Sequence, residues 1–185
     1  MTDKSIKHGN YQLDIIIDDM AESPITAFDN VGQMVLKHRK YDLPNEIHLD
    51  FNEFMSWNEV YVFLQSQYEF ILPVYMLDHS GITIRTTPFG DKWDSGQIGY
   101  IVSNEDFTIY GGLETLEILE KEVQTFNYYL EGNCFGFRIT KDGEEIDSCF
   151  GFYGDDDKKS GLLDSLLEVD IPSDIKNYFI ENLHK

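Results

Sequence analysis

The sequence predicts an α+β fold, with a mainly antiparallel sheet of about five to seven strands and helices packed on it. Three observations favour this class. Short segments of alternating or continuous apolar residues are separated by tight-turn signals. One long segment and the C-terminal region have helical spacing. A parallel sheet needs repeated strand–helix–strand crossovers, and none is visible.

Seven segments are predicted to be strands, because they are rich in apolar and β-branched residues. They are 11–18, 31–38, 70–77, 82–86, 97–103, 134–140 and 145–153. Pro73 indicates an edge position or a bend, since proline cannot donate to a sheet. Turns at 78–81 and at Asp142-Gly143 predict two hairpins.

A helix is predicted from the capping box Ser56–Glu59 to about residue 67. The clearest helix is 114–131, in which apolar residues recur at three- and four-residue intervals. The acidic C-terminal segment, 155–185, offers two short helices, 162–168 and 173–183, with Pro172 as an N1 proline. Residues 1–10 are expected to be flexible, and no linker divides residues 1–185, so one domain is expected.

Acidic residues dominate the charge. The chain has 34 Asp and Glu against 14 Lys and Arg, a formal net charge of −20. Phosphates repel such a surface, which excludes nonspecific binding to nucleic acid or to an anionic membrane. The charge is spread along the whole chain, and the hydrophobic share of 42% argues against a disordered acidic tail.

Localisation is expected to be cytoplasmic. No apolar run reaches the length of about 18 residues that a membrane span needs, and the polar residues 1–5 are not typical of a signal peptide. Only two cysteines, Cys134 and Cys149, are present, which is typical of a reducing compartment.

No motif predicts an enzyme, and no catalytic residue is assigned. Asp78, His79 and Ser80 are adjacent, whereas a triad needs groups from different segments, so a turn is the favoured interpretation. Cys149 precedes an apolar run and is predicted to be an inert core thiol. The histidines are scattered, and Asp155–Asp157 lacks the glycine and distal glutamate of a calcium loop, so neither a metal nor a cofactor is expected.

The segment from Trp93 to Gln97 is the most distinctive loop of the sequence. Trp93 and Asp94 in such a loop suit a recognition surface, because aromatic side chains with few rotamers are good interface anchors. The alternative, which the pattern favours, is that Trp93 plugs one end of the core while Asp94 caps the loop backbone.

Six segments together resemble an uncharacterised family of small acidic proteins carried by phages, plasmids and integrated elements of Gram-positive bacteria. They are 29–32, 38–41, 77–82, 93–99, 122–123 and 147–154. The resemblance covers roughly residues 29–154. It implies a mobile-element context, in which small acidic proteins act against host defences and their acids imitate nucleic-acid phosphates.

The amount of charge fits such mimicry. Duplex DNA carries about one negative charge per 1.7 Å of axis, and a domain of this size is roughly 40 Å across. The candidate partner-binding residues are Glu114, Glu117, Glu120, Asp155, Asp156, Asp157, Trp93 and Asp94.

The function predicted is an anti-CRISPR or antirestriction inhibitor. Its partner would be a basic nucleic-acid-binding protein, such as a nuclease or a CRISPR effector, and it would not contact nucleic acid itself. One alternative is an immunity protein that neutralises a basic toxin nuclease. The second is a small hydrolase-like enzyme that uses Asp78 and His79 with Asp94 or Cys149, and the third is a soluble fold in which the acidity is incidental.

Overall fold

The computed structural model describes residues 2–91, 93–107 and 114–183. Within them the chain has eight strands: β1 (Thr2–His8), β2 (Tyr11–Ile17), β3 (Gln33–Leu36), β4 (Phe70–Asp78), β5 (Ile82–Arg85), β6 (Ser95–Ser103), β7 (Cys134–Lys141) and β8 (Glu144–Tyr153). The helices are α1 (Pro24–Ala27), a 3-10 helix (Phe51–Glu53), α2 (Trp57–Gln65), α3 (Thr115–Glu131), α4 (Leu162–Glu168) and α5 (Ser173–Asn182). The predicted α+β class is confirmed, and every strand pairing is antiparallel.

The strands form two four-stranded sheets, so the expectation of one sheet was wrong. The chain divides into two compact units. Unit 1 combines Met1–Glu22 with Gly132–Lys185, and unit 2 is Ser23–Glu131. The reason lies in a non-local pairing: β2 pairs with β7, from Tyr11 opposite Lys141 to Ile17 opposite Phe135. All of unit 2 is therefore inserted between two neighbouring strands of unit 1, which no local pattern indicates.

The start of the chain belongs to the unit 1 sheet, which has the order β1-β2-β7-β8. Strand β1 pairs with β2, so the expectation that residues 1–10 are flexible was wrong for residues 2–8. Ile6 is buried in the core. The Lys4 Nζ donates to the Leu183 carbonyl at 2.5 Å, which connects β1 to the end of α5.

The core of unit 1 lies between one face of this sheet and the two C-terminal helices. Its fully buried members include Leu13, Ile139, Leu166 and Phe179. The predicted hairpin between β7 and β8 is confirmed, since Asp142 and Gly143 both take positive φ, at 54° and 89°. Both predicted C-terminal helices are confirmed, although Pro172 is the N-cap of α5 and not its N1 residue.

The sheet of unit 2 has the order β3-β6-β4-β5. Strand β4 is therefore an interior strand, but β5 pairs only with its second half, from Tyr75 to Asp78. Pro73 lies in the first half, where β6 is the only strand partner within the described residues. This local edge explains how a proline fits an interior strand.

Helices cover both faces of this second sheet. On one face, Leu119 and Val123 of α3 pack in the cluster that contains Met34. On the other, Val60 and Leu64 of α2 pack with the neighbouring residues of β3 and β6. This two-sided burial explains why β6 is buried without interruption from Ile98 to Ser103.

The side chain of Glu122 connects α3 to the segment before β3. Its two carboxylate oxygens accept the backbone N–H groups of Val31, at 2.7 Å, and Gly32, at 2.9 Å. Burial raises the pKa of Glu122, although the two N–H groups oppose that shift. The carboxylate therefore satisfies two partly buried donors at the cost of its own desolvation.

Replacing Glu122 with alanine should lower the free energy of unfolding by about 1–3 kcal/mol, because both N–H groups lose their acceptor. Urea denaturation followed by circular dichroism measures this change. The matched control is Glu117→Ala, an exposed position of the same helix, which should stay within about 0.5 kcal/mol of the wild type. Equal effects of the two variants would contradict the assigned role of Glu122.

Candidate functional site

Three chain segments meet at one end of the unit 2 sheet. Leu77 at the end of β4 lies opposite Ser95 at the start of β6, and the Asp78 N–H donates to the Asp94 carbonyl at 2.8 Å. The segment after β3 runs beside β6, since the Lys37 N–H donates to the Ile98 carbonyl at 2.8 Å. The hairpin turn at 78–81, the loop before β6 and residues 38–41 are thereby brought together.

These segments line a cleft of about 260 Å³, which we call the Trp93 cleft. Its lining residues are His38, Arg39, Lys40, Met76, Asp78, Trp93, Asp94, Ser95, Gly96, Gln97 and Ile98. The cleft contains two of the predicted site residues, Trp93 and Asp94. It also contains three neighbouring basic or imidazole side chains that the sequence analysis did not select, His38, Arg39 and Lys40.

Asp78 holds the wall of the Trp93 cleft together. Its carboxylate accepts hydrogen bonds from the Lys40 Nζ at 2.6 Å and the Tyr41 hydroxyl at 2.9 Å. The bond from Lys40, followed by that from Tyr41, lowers the pKa of Asp78, and the same contacts raise the pKa of Lys40 and of Tyr41. The favoured interpretation of Asp78 as a structural residue is thus supported. Its carboxylate binds the Lys40 and Tyr41 side chains, whereas the sequence indicated only a role in the turn.

His79 and Asp94 form the second polar contact of this region. The His79 Nδ1 lies 3.1 Å from an Asp94 carboxylate oxygen, with the two side chains 70% and 46% exposed. A His–Asp pair of this geometry can act as a general base if a nucleophile lies within reach. The Ser95 hydroxyl instead donates to the Asp91 carbonyl, and no described hydrogen bond joins a serine hydroxyl to His79.

Trp93 is 94% exposed, so the interpretation that it plugs the core was wrong. The loop is fixed by Asp91, whose carboxylate accepts the N–H groups of Trp93 at 2.7 Å and Asp94 at 3.0 Å. These two bonds, that of Asp94 first, lower the pKa of Asp91. The backbone cap expected of Asp94 is thus supplied by Asp91. The outcome is a tryptophan that is presented to solvent while its backbone N–H is held by Asp91.

The other predicted partner-binding residues belong to different units. Glu114, Glu117 and Glu120 are exposed at the start of α3 in unit 2. Glu120 accepts a long hydrogen bond, 3.4 Å, from the Thr86 hydroxyl. Asp155–Asp157 belong to unit 1. A single continuous acidic face made of both groups therefore stays a prediction.

Within the acidic run of unit 1, the middle residue has a structural role. The Asp156 carboxylate accepts the N–H groups of Lys158, at 3.1 Å, and Lys159, at 3.2 Å, and the Lys159 Nζ lies 3.5 Å away. The backbone bond from Lys159 is the main cause that lowers the pKa of Asp156. Asp155 and Asp157 instead line a separate cleft of about 190 Å³.

Both cysteines lie in unit 1, whereas Asp78, His79 and Asp94 lie in unit 2. Burial raises the pKa of the Cys134 thiol to about 11. Cys149 is only partly buried, packed against the unit 1 core, and its predicted inertness stays a prediction. Among the described residues, which do not include His184, no group of three or more His, Cys, Asp or Glu side chains is arranged to hold a metal ion.

Few of the surface carboxylates are neutralised by side chains. Unit 1 has 17 acidic and 8 basic residues and unit 2 has 17 and 6, so the formal charges are −9 and −11. Between described residues, three carboxylates lie within 4 Å of a Lys or Arg nitrogen: Asp78, Glu145 and Asp156. The negative charge is thus carried by both units, in each of which acidic residues outnumber basic residues at least twofold.

In comparisons with known proteins, no family model, no curated protein and no solved structure matches this chain. None of the described helices has the length and apolar character needed to cross a membrane.

Changing Asp78 to asparagine should destabilise the protein at neutral pH, because Lys40 and Tyr41 lose their charged acceptor. A carboxyl group whose pKa is lower in the folded than in the unfolded state stabilises the fold at pH values above its ordinary pKa. This stabilisation is lost as the pH falls through the lowered pKa of the folded state. The difference between wild type and variant should therefore shrink as the pH falls from 3.8 through the pKa of Asp78. Urea denaturation at several pH values measures it, and a difference independent of pH would contradict the network.

Proposed function

We propose that this protein is a non-catalytic inhibitor from a mobile element that binds a basic, nucleic-acid-handling effector in place of DNA. The effector class is a CRISPR nuclease or a restriction enzyme. The mobile-element context comes from the resemblance of residues 29–154. The protein-binding role is supported by the structure of the Trp93 cleft and by the charge of both units.

One observation carries the proposal: the almost fully exposed Trp93, whose backbone N–H is held by Asp91, lies between Asp91 and Asp94 in the chain of a strongly acidic unit. An exposed indole gains free energy when a partner covers it, and tryptophan is enriched among residues that dominate binding energy. The adjacent Asp94 and Asp91 suit a cationic surface. A basic partner could thus bury the ring while its Lys and Arg side chains meet the acids.

The uncompensated charge supplies the second part of the mechanism. Carboxylates with no cation beside them attract a basic groove over a distance of about a Debye length, roughly 8–10 Å at ordinary ionic strength. Such attraction increases the association rate and favours partners that have a positive channel. Inhibition then follows because the partner's nucleic-acid groove is occupied.

The His79–Asp94 pair supports a second candidate, a small hydrolase. The two candidates depend on different side chains, Trp93 of the cleft and His79, which contacts the cleft residue Asp94. Replacing His79 with alanine removes the one imidazole–carboxylate contact found between described residues and leaves Trp93 in place. That variant should still inhibit under the proposed function, whereas a hydrolase would lose its activity.

Inhibition of purified CRISPR and restriction nucleases should be competitive with duplex DNA, and the affinity should fall steeply between about 50 mM and about 200 mM salt. Biolayer interferometry at several salt concentrations, with and without DNA, measures both properties. An affinity that does not change with salt would overturn DNA mimicry. Binding only to a toxin nuclease encoded beside this protein would support the immunity-protein alternative.

Replacing Trp93 with alanine should weaken binding to the nuclease that the protein inhibits by at least about tenfold, as expected for an anchor residue. The stability of the free protein should change by less than about 0.5 kcal/mol, because the ring is exposed. Met20→Ala is the matched control, since Met20 is also an exposed apolar side chain, at 84%, but belongs to unit 1. Equal losses in both variants would contradict an anchor role for Trp93.

A further inference from the structure

Unit 2 contains a second, more apolar cleft, which we call the Met55 cleft. It has a volume of about 220 Å³. Its lining residues are Lys37, Phe51, Phe54, Met55, Ser56, Trp57 and Val60, none of which lines the Trp93 cleft. Most of the lining comes from the 3-10 helix, the start of α2 and the residues between them.

The walls of the Met55 cleft are held in place by the core. The Phe51 and Trp57 rings pack edge to face with centroids 5.7 Å apart. The Tyr100 hydroxyl of β6 donates to the Trp57 carbonyl at 2.8 Å, and Val60 is only 1% exposed. At the start of α2 the Ser56 hydroxyl accepts the N–H of Glu59 at 3.4 Å, whereas the Glu59 carboxylate accepts the N–H of Met55 in place of that of Ser56, so the predicted capping box is only half formed. The cleft is therefore formed before any partner binds.

Apolar side chains surround the entrance of the Met55 cleft. Met55 is 94% exposed, and Phe63 on the solvent side of α2 is 40% exposed. The Phe63 ring packs against Phe54, with centroids 5.5 Å apart, so the exposed apolar surface continues from the cleft onto the helix. Clustered apolar surface of this kind marks interaction sites. Methionine also adapts its shape readily to a partner.

Carboxylates are also present in the segment that lines the Met55 cleft. Asp50 and Glu53 flank Phe51 in the chain, and the Glu59 carboxylate accepts the Met55 N–H at 2.8 Å. The cleft already accommodates one cation of the protein itself, because the Lys37 Nζ lies 5.1 Å from the centre of the Phe51 ring. Aromatic faces and carboxylates together complement a segment that is apolar at its centre and cationic at its ends.

We infer that the Met55 cleft binds one large apolar side chain, of leucine, methionine or phenylalanine, from a basic amphipathic segment of a partner protein. Its volume is below the 300–1,000 Å³ or so of small-molecule pockets and suits a single side chain. The partner's Lys and Arg residues then meet Asp50, Glu53 and Glu59. This inference rests on the proposed function, because it assigns a second contact surface for the same basic partner.

The test uses two synthetic lysine-rich peptides of equal length and charge. One has leucines at helical spacing, and the other has serines in their place. Isothermal titration calorimetry with the full chain gives the two affinities, and NMR of carbon-13-labelled methionine methyl groups reports which methionine is contacted. Met55→Gln keeps the size and charge of an exposed side chain, and Met20→Gln is the matched control in unit 1.

The leucine peptide should bind about tenfold more tightly than the serine peptide, as expected when one anchor is buried. It should shift the Met55 methyl signal and not that of Met20. Met55→Gln should remove most of the leucine preference, and Met20→Gln should retain it. Equal affinities of the two peptides, or a preference that Met55→Gln leaves intact, would overturn the inference and leave the proposed function standing. Failure of both peptides to bind at low salt would overturn both.

Discussion

Mutual repulsion between carboxylates is the constraint on which this structure depends, and among the described residues backbone N–H groups stabilise more carboxylates than lysine and arginine side chains do. Eight described carboxylates accept backbone N–H groups: Asp18, Glu46, Asp50, Glu59, Asp91, Glu122, Asp147 and Asp156. Three lie beside Lys or Arg. A hydrogen bond to a backbone N–H stabilises a carboxylate without neutralising it. The acids thus order loops and helix ends while the protein keeps its negative charge.

The small number of basic residues also bears on the two candidate binding surfaces of unit 2. Unit 2 has six basic residues, and three of them, Lys37, Arg39 and Lys40, lie within four positions after β3. Lys40 forms an ion pair with Asp78, and the Lys37 ammonium group lies over the Phe51 ring. The two clefts therefore have structured walls, while Asp94, Glu53 and most other surface acids have no Lys or Arg partner among the described residues. Trp93 and Met55 supply exposed apolar area beside that charge.

Local patterns predicted the elements well and their assembly poorly. Helix α3 and the hairpin at Asp142-Gly143 depend on residues close in sequence, so spacing and turn chemistry identify them. The division into two sheets depends on the pairing of Ile17 with Phe135, which local patterns do not encode. The exposure of a side chain also depends on contacts that local sequence patterns do not encode. Trp93 is apolar and was expected in the core, and only the cap made by Asp91 and the end of the sheet place it outside.

The measurement that tests the uncompensated charge most directly is the free energy of unfolding of the protein alone, by urea denaturation at low and at high sodium chloride. Salt screens the repulsion between charges that lie farther apart than a Debye length, which is about 10 Å at 0.1 M and about 3 Å at 1 M. If the carboxylates repel one another as described, stability should rise with salt and level off. A stability that falls with salt would mean that attractive ion pairs dominate, which would contradict the account.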